Sequence, residues 1–420
     1  MKIRIDNARL LMPDLTVSEG SVLTEDGLIA AVGDIPDGEC DEVIDAHRDL
    51  VMPGFNDAHT HSAMTFLRSL ADDLPLDRWL HESVFPREAK LTAEDIYDLT
   101  RLAVLEYLTS GITSCFDMYF FPDAFASALT DSGFRGVFCG SVTGAPSAAE
   151  KLEQDYLRFN GKDPLISYIL GFHAEYTASE ELLREVSALS HKYKAPVFSH
   201  SSETRSEVEG CISRHGATPT VYLDSLGLYD NGGGGFHCVH MTDEDIGIYR
   251  SKGLFAVTNP CSNAKLASGI APLLKMHKSG VRLAVGTDGA ASNNALDMFR
   301  EMYLAAVLQK ILCDDAEALP AEEVLSAALS GSADAMGINS GRLEAGRNAD
   351  IIMIDLDTPN MQPINSIVRN IVYSGSKTNV KMTMVGGRIL YRNGEFFVGE
   401  SPEKIYEKAN SIANRISSQM

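Results

Sequence analysis

Cysteine is sparse in this 420-residue sequence, and no two cysteines have the spacing of a metal motif. The seven cysteines are odd in number and scattered, and none of them forms a CxxC pair. This pattern argues against a disulfide framework and against a thiolate zinc site. We therefore expect a reduced, cytoplasmic protein.

Long apolar runs are also missing from the sequence. No stretch approaches the roughly 18 apolar residues that a membrane-spanning helix needs. The first residues have no apolar run behind a basic stretch, so the sequence predicts no secretory signal. We expect no association with a membrane.

Positive charge is the third deficit, because 36 Lys and Arg residues stand against 58 Asp and Glu residues, for a formal net charge of −22. This balance disfavours non-specific binding to nucleic acid or anionic lipid, since like charges repel. Hydrophobic residues make up 45% of the chain and charged residues 22%, as in globular proteins generally. The chain is long enough for a large core. Its net charge does not argue against a pocket that binds a small molecule.

Both ends of the sequence have the pattern of short strands separated by turns. Residues 2–11, 20–23 and 28–32 are strand candidates near the start, and residues 349–355 and 380–390 are candidates near the end. We expect the two termini, residues 1–52 and 340–420, to form one small β-sandwich domain. Residues 401–418 have the pattern of a closing helix.

The middle of the sequence, residues 53–339, alternates between apolar strand candidates and amphipathic helices. Helical spacing is clear over residues 93–108, 179–192 and 321–336. Eight strands alternating with helices favour an α/β fold with a closed (β/α)8 TIM-like barrel over an open sheet. The eight strand candidates are residues 51–55, 112–118, 136–142, 166–172, 196–200, 235–239, 254–258 and 283–287.

Two histidines follow the first strand candidate of this barrel. His59 and His61 are two residues apart, so their side chains lie on the same face of an extended chain. In a barrel the carboxyl ends of the strands form the catalytic face. Two neutral imidazoles on one side suit a divalent cation such as zinc, although the pair alone is as compatible with two incidental polar histidines.

Three later strand candidates also end in His or Asp. His200 ends the fifth, His237 lies on the sixth and Asp288 ends the eighth, while Glu203 follows His200 by three residues. A capping Asp or a core histidine would explain any one of them, but not all of them at one rim. Three nitrogens and one oxygen leave an open position for water. The predicted ligands are His59, His61, His200 and Asp288.

Five segments of the chain resemble the amidohydrolase superfamily, and within it the branch of methylthioadenosine and S-adenosylhomocysteine deaminases. The resemblance spans nearly the whole chain. The segments are residues 53–61 (PGFNDAHTH), 199–204 (SHSSET), 237–240 (HCVH), 286–294 (GTDGAASNN) and 341–350 (GRLEAGRNAD).

The resemblance implies one divalent metal, usually zinc, on the four predicted ligands. It implies that Glu203 protonates the heterocycle and that His237 orients the attacking water. Residues 169–173 hold no Lys, which favours a site for one metal rather than two. The chemistry agrees, because a bound cation lowers the pKa of water toward about 7 and Asp288 can take the water proton and return it to ammonia. Glu203 could instead be an exposed residue in the first turn of the next helix.

The substrate-binding residues match the branch less well. The branch places an Arg after strand three, but residues 137–142 hold none. It also places a His after strand four, where Glu175 stands here, so either Glu175 or the shifted His173 takes that place. Trp79 and Glu82 are further candidates, since the branch has a ribose-binding Glu in this region. An amine-bearing or cationic substrate would suit Glu82 and Glu175 better than a carboxylate tail.

The prediction is therefore a metal-dependent hydrolytic deaminase of an adenosine-like purine, 5′-modified adenosine first. Deamination of guanine, cytosine or a pterin, or hydrolytic dechlorination of a triazine, stays open because these reactions share the metal set. A non-catalytic scaffold is disfavoured, since every predicted ligand and both predicted catalytic partners are present. The native metal among zinc, iron, nickel and manganese stays open, and a homo-oligomer is expected only by analogy.

Overall fold

The computed structural model describes residues 1–36, 38–70, 72–74 and 78–420 of the chain. The N-terminal part contributes five strands to a first sheet, β1 (Lys2–Leu11), β2 (Val17–Glu25), β3 (Leu28–Gly33), β4 (Glu42–Asp45) and β5 (Leu50–Pro53). A barrel follows, built from β6 (Phe55–Thr60), β7 (Ile112–Asp117), β8 (Arg135–Cys139), β9 (Ile166–Ala174), β10 (Val197–Ser201), β11 (Gly233–His237), β12 (Phe255–Thr258) and β13 (Arg282–Val285). The C-terminal part returns to the first sheet with β14 (Ile351–Ile354), β15 (Val380–Val385), β16 (Arg388–Arg392) and β17 (Glu395–Phe396).

Helices alternate with the barrel strands, which confirms the predicted α/β fold. The helix Ala93–Thr109 begins after a capping box in which Thr92 and Asp95 exchange hydrogen bonds, and Glu180–Tyr193 begins after the capping side chain of Ser179. The other α-helices are Phe85–Glu88, Pro122–Ser132, Ala148–Phe159, Arg205–His215, Pro219–Ser225, Asp243–Lys252, Pro260–Lys265, Leu273–Lys278, Ala290–Asn293, Met298–Cys313, Ala321–Ser326, Ser332–Ala335, Ile367–Tyr373 and Pro402–Ser417. Trp79–Val84 and Ala327–Gly331 are π-helical, and Ser62–Leu67, Glu175–Thr177, Pro359–Met361 and Lys377–Asn379 are 3₁₀ turns.

The eight barrel strands are parallel and hydrogen-bonded in chain order from β6 to β13. The seam between β6 and β13 is joined by residues beside the predicted metal ligands. The backbone N–H of Asp288 donates to the carbonyl of His59 at 2.8 Å, and Thr287 donates its N–H and hydroxyl to the carboxylate of Asp57. A Cβ at Gly286 would lie 2.5 Å from the His59 nitrogen, so only glycine allows the two strands to approach this closely.

The predicted first barrel strand, residues 51–55, was wrong in its boundaries. The chain forms two strands here: β5 pairs with β1 and β14 in the terminal sheet, and β6 opens the barrel. They separate at Gly54, where an added Cβ would lie 2.1 Å from Thr113 Cγ2. The apolar run crosses this break without a polar residue, while the true strand continues through buried Asn56 and Asp57, so hydrophobicity alone placed the boundary too early.

The strands of both termini form one mixed nine-stranded sheet, in which β1 pairs antiparallel with β2 and parallel with β4 and β5. The C-terminal helix Pro402–Ser417 packs instead on the barrel helix Ala93–Thr109. Arg415 donates to Asp95 at 2.6 Å across this contact. The domain boundaries at residues 52/53 and 339/340 stay a prediction. Within the described residues, no helix has both the length and the apolar character needed to cross a membrane.

A buried ion pair joins the barrel to the terminal sheet. Arg135, at the start of β8, donates from Nε and Nη2 to the two carboxylate oxygens of Asp350 at 2.8 and 3.1 Å. The side chain of Arg135 is 8% exposed and that of Asp350 is fully buried. Asp350 also accepts from the Ser340 hydroxyl and the Gly386 N–H, so its charge is compensated from several sides.

Replacing Arg135 by alanine should lower the free energy of unfolding by about 3–5 kcal/mol, because it leaves the Asp350 carboxylate buried without its cation. Chemical denaturation of the two proteins measures the difference. The matched control is Arg184→Ala, which breaks an exposed pair with Glu180 and should cost less than about 1 kcal/mol. An equal loss of unfolding free energy in the two variants would contradict the role of Arg135 as the partner that compensates buried Asp350.

Candidate metal centre and active site

Three strand ends bring the four predicted ligands together at the carboxyl face of the barrel, and a fourth strand adds His237. The ligand atoms of His59, His61 and Asp288 all lie within 4.8 Å of one another, and so do those of His59, His200 and His237. His61 Nε2 lies 3.3 Å and His59 Nε2 3.7 Å from Asp288 Oδ1. Side chains from β6, β10, β11 and the loop after β13 therefore converge on one point.

Hydrogen bonds orient three of these imidazoles in the same way. His61 Nδ1 donates to the carbonyl of Met118 at 2.6 Å, and His200 Nδ1 donates to the carbonyl of His173 at 2.7 Å. His237 Nδ1 donates to Asn263 Oδ1 at 2.8 Å. A proton on Nδ1 leaves the Nε2 lone pair free, which is the arrangement that metal-binding histidines adopt.

His59 lies at the centre of the cluster and is fully buried. Neither of its ring nitrogens has a hydrogen-bond partner among the described residues. Burial, reinforced by the neighbouring His61, lowers the pKa of His59 well below its ordinary value, so the ring is neutral. A buried neutral imidazole without a partner, among nitrogen and carboxylate donors, fits a divalent cation of the zinc type.

Asp288 is held in place by the loops around it. Ser262 and Ser292 donate their hydroxyls to Oδ2 at 2.6 and 2.9 Å, and the Gly289 N–H donates to Oδ1 at 2.8 Å. Burial alone would raise the pKa of Asp288, but the hydrogen bond that His61 donates from Nε2 when its ring is protonated, together with the neighbouring His237, holds it well below its ordinary value. The carboxylate is therefore ionised and ready to bind a cation or accept a proton.

Glu203 lies beside this cluster and is not an exposed helix residue. It is buried, accepts a hydrogen bond from Ser268 Oγ at 3.1 Å and lies 3.8 Å from His237 Nε2. The following helix begins only at Arg205. Burial raises the pKa of the Glu203 carboxyl, which favours the protonated form that a general acid needs.

A buried carboxylate supports the backbone that carries Glu203. Glu207 accepts the N–H groups of Ser202 and Glu203, both at 2.8 Å. Burial raises the pKa of Glu207 to about 7. Because it bonds the backbone of Glu203 rather than the cavity, Glu207 is a positioning residue.

A cavity of about 520 Å³ opens onto the cluster, a volume typical of a small-molecule site. His61, His200, His237, Glu203 and Asp288 form its floor. Its walls are largely apolar and aromatic. They are formed by Met64, Trp79, Leu80, Val84, Phe85, Glu88, Met118, Tyr119, Phe120, Ser141, Thr143, Gly144, His173, Tyr176, Thr177 and Leu266.

The four predicted substrate-binding residues separate into two pairs. Trp79 and His173 line the cavity, whereas Glu82 and Glu175 do not. The Glu82 side chain is 54% exposed and pairs with Arg78 at 2.8 Å. Glu175 is 3% exposed but pairs with Arg214 and His215 at 2.5 and 3.1 Å. In these ion pairs neither glutamate faces the cavity, and His173 is the histidine that lines it at the end of β9.

The sequence analysis missed a carboxylate on the cavity wall, Glu88. Tyr119 Oη donates to Glu88 Oε1 at 2.5 Å, and burial raises the pKa of the Glu88 carboxyl. In a regular α-helix Glu82 would share a face with Trp79, since the two are three residues apart. The π-helical turn Trp79–Val84 has more residues per turn than an α-helix, so residues three apart no longer share a face. Glu88 lines the cavity and Glu82 does not. The signal available in the sequence was the second glutamate in the same helical stretch.

Comparison with known proteins gives the same family that the motifs indicate. The model of the amidohydrolase family matches residues 50–390. A 5-methylthioadenosine/S-adenosylhomocysteine deaminase of Syntrophomonas wolfei is 39% identical, with 99% of each chain covered. A 5′-deoxyadenosine deaminase of Methanothermobacter thermautotrophicus is also 39% identical, with 96% of each chain covered. The chain therefore belongs to the amidohydrolase family.

Solved structures agree with this assignment. An adenosine deaminase of Xanthomonas campestris with bound zinc superposes with a TM-score of 0.94 at 32% identity, over 99% of this chain and 98% of that one. An atrazine chlorohydrolase of Arthrobacter aurescens superposes with a TM-score of 0.91 at 22% identity, over 98% and 100%. At that identity the chlorohydrolase shows only that the fold is shared.

Proposed function

We propose that this protein is a metal-dependent hydrolytic deaminase of adenosine-like purine nucleosides, with 5′-modified adenosine as the first substrate class. The observation that carries the proposal is that Glu203, His237 and three of the predicted ligands, His61, His200 and Asp288, form the floor of one cavity, with the fourth, His59, buried among them. The relatives named as deaminases of adenosine derivatives support the substrate class.

The residues present fit one divalent metal. His59, His61, His200 and Asp288 would hold it, and the unpartnered nitrogens of buried His59 support this set. Zinc is our proposal for its identity, supported by the zinc in the adenosine deaminase relative and by a donor set of imidazoles and one carboxylate. When bound, such a cation would lower the pKa of water toward about 7.

The protein side chains handle the protons of the reaction. Asp288 accepts the proton that water loses as the new C–O bond forms. Glu203 donates its proton to the neighbouring ring nitrogen, so negative charge does not accumulate on the ring. His237 Nε2 lies 3.8 Å from the Glu203 carboxyl. From this position His237 orients the attacking water.

Collapse of the tetrahedral carbon restores both acids. Asp288 returns its proton to the amino group, the C–N bond breaks and ammonia leaves. The proton of the new hydroxyl passes to Glu203 as the carbonyl of the 6-oxo product forms. The sequence of transfers therefore consumes one water and releases one ammonia, with both carboxyl groups back in their starting states.

The cavity wall suits a nucleoside. Trp79 and Phe120 offer aromatic surface to a purine or its substituent, and Glu88 offers a carboxylate to sugar hydroxyls. His173 adds a polar ring 4.8 Å from that of His200. Burial lowers the pKa of His173 to about 4, so it acts as a neutral hydrogen-bonding group.

A substrate panel tests this function. The purified protein, loaded with Zn²⁺, is assayed for ammonia release from adenosine, 5′-deoxyadenosine, methylthioadenosine, guanine, cytosine and a pterin, and for chloride release from atrazine. We expect kcat/KM to be highest for an adenosine derivative. A base, a pterin or the triazine reacting faster than every nucleoside would overturn the proposal.

A further inference from the structure

Acidic groups are the only charged side chains, apart from histidines, on the described cavity wall. Glu88, Glu203 and Asp288 line the cavity, and no Lys or Arg does so among the described residues. Residues 71 and 75–77, which lie outside the described residues, are also neither Lys nor Arg. A ligand that enters the cavity thus meets no Lys or Arg side chain on the described wall.

Two basic residues of the neighbouring segments are already engaged by acids, and a third, Arg87, donates to the carbonyl and hydroxyl of Ser83 at 2.8 and 3.0 Å. Arg78 donates from Nε and Nη2 to both oxygens of Glu82, at 2.8 and 3.0 Å. Lys265 pairs with Asp72 at 2.6 Å. Recruiting either cation to a ligand would break an existing pair.

The remaining wall is apolar. Met64, Leu80, Val84, Phe120 and Leu266 surround the space above the floor. Such a surface favours an uncharged alkyl or thioether group, whose burial is favourable by about 25 cal/mol per Å². A carboxylate in the same place would lose its hydration and would gain no cationic side chain from the described wall.

We propose that this cavity selects nucleosides whose 5′ substituent carries no carboxylate, such as 5′-deoxyadenosine and methylthioadenosine, and discriminates against S-adenosylhomocysteine. This inference rests on the proposed function, since it concerns the substrate of the same site. The names of several relatives combine methylthioadenosine and S-adenosylhomocysteine as substrates. We expect this protein to distinguish between the two.

A matched pair of substrates isolates the effect of the carboxylate. The Zn²⁺-loaded protein is assayed with S-adenosylhomocysteine and with its decarboxylated analogue, which keeps the thioether and the amine. A carboxylate that loses its hydration without gaining a cationic partner is strongly disfavoured, so kcat/KM should be at least about tenfold lower with the carboxylate present. Equal values for the pair would overturn the inference, and ammonia release from neither these nor 5′-deoxyadenosine would overturn the proposed function instead.

Two variants then test whether the missing cation is the cause. Thr143 and Ser141 lie on the cavity wall after β8, and Thr143 is exposed, so Thr143→Arg and Ser141→Arg can each add a guanidinium there. Arginine should narrow the ratio between the paired substrates at one of the two positions, whereas Thr143→Gln and Ser141→Gln should leave it unchanged. The inference would be overturned if neither arginine variant narrowed the ratio of kcat/KM between the paired substrates. It would also be overturned if the glutamine variants narrowed that ratio as much as the arginine variants. Activity toward 5′-deoxyadenosine reports that each variant has folded.

Discussion

Replacing Glu203 by glutamine should lower kcat for ammonia release by about 10²–10⁴-fold, the contribution typical of a general acid. Glutamine keeps the size of the side chain and can still accept the Ser268 hydroxyl, but it has no proton to give to a ring nitrogen. The metal content should not change, because Glu203 is not among the predicted ligands. Steady-state kinetics and metal analysis of the same preparation measure both quantities.

The matched control for this variant is Glu82→Gln. The sequence placed Glu82 at the substrate, but the structure places it on the surface in a pair with Arg78. We expect its kcat and KM to stay within about twofold of the starting values, because exposed ion pairs contribute little. A loss of less than tenfold for Glu203→Gln, or similar losses for the two glutamates, would contradict the assigned roles.

Replacing His200 by alanine should remove most of the bound metal and lower kcat by at least about 10³-fold, since the lowered pKa of water depends on the cation. The His200 ring lies 4.9 Å from that of His59 and 5.5 Å from those of His61 and His237, so its loss opens one side of the cluster. Metal content per chain, measured together with activity after dialysis against a chelator and after return of Zn²⁺, separates lost binding from lost chemistry.

His191→Ala provides the control for the histidine variant. His191 lies in helix Glu180–Tyr193, half exposed, and pairs with Asp230 outside the cavity. Its removal should leave metal content and kcat unchanged. Full metal occupancy in His200→Ala would show that the cation binds elsewhere and would require a different ligand set.

The barrel and the convergence of its histidines could be predicted because both follow from local patterns. Strand ends marked by His59, His200 and Asp288 meet at one face of any parallel barrel, whatever the loops do. The boundary between β5 and β6 could not be predicted, since an apolar run passes through it and only the contact of Gly54 with Thr113 marks the change of sheet.

The substrate wall was harder to predict because it depends on distant pairings and on helix phase. Glu175 follows β9 directly, yet Arg214 and His215, about forty residues later, hold it away from the cavity. Glu88 lies on the wall after the π-helical turn Trp79–Val84, which shifts the helical phase of this segment. Neither effect leaves a periodic signal in the sequence, so the residues of the histidine cluster were easier to predict than those of the cavity wall.

The proposed metal site lies at the junction between β6 and β13, the first and last strands of the barrel. The backbone hydrogen bond from Asp288 to His59 joins these two strands, and the side chains of the same two residues are among the predicted ligands. Separating β6 from β13 would move the predicted ligands apart, and a metal ion bound between them would stabilise the junction against that opening. At this junction, metal affinity and the stability of the barrel are therefore coupled.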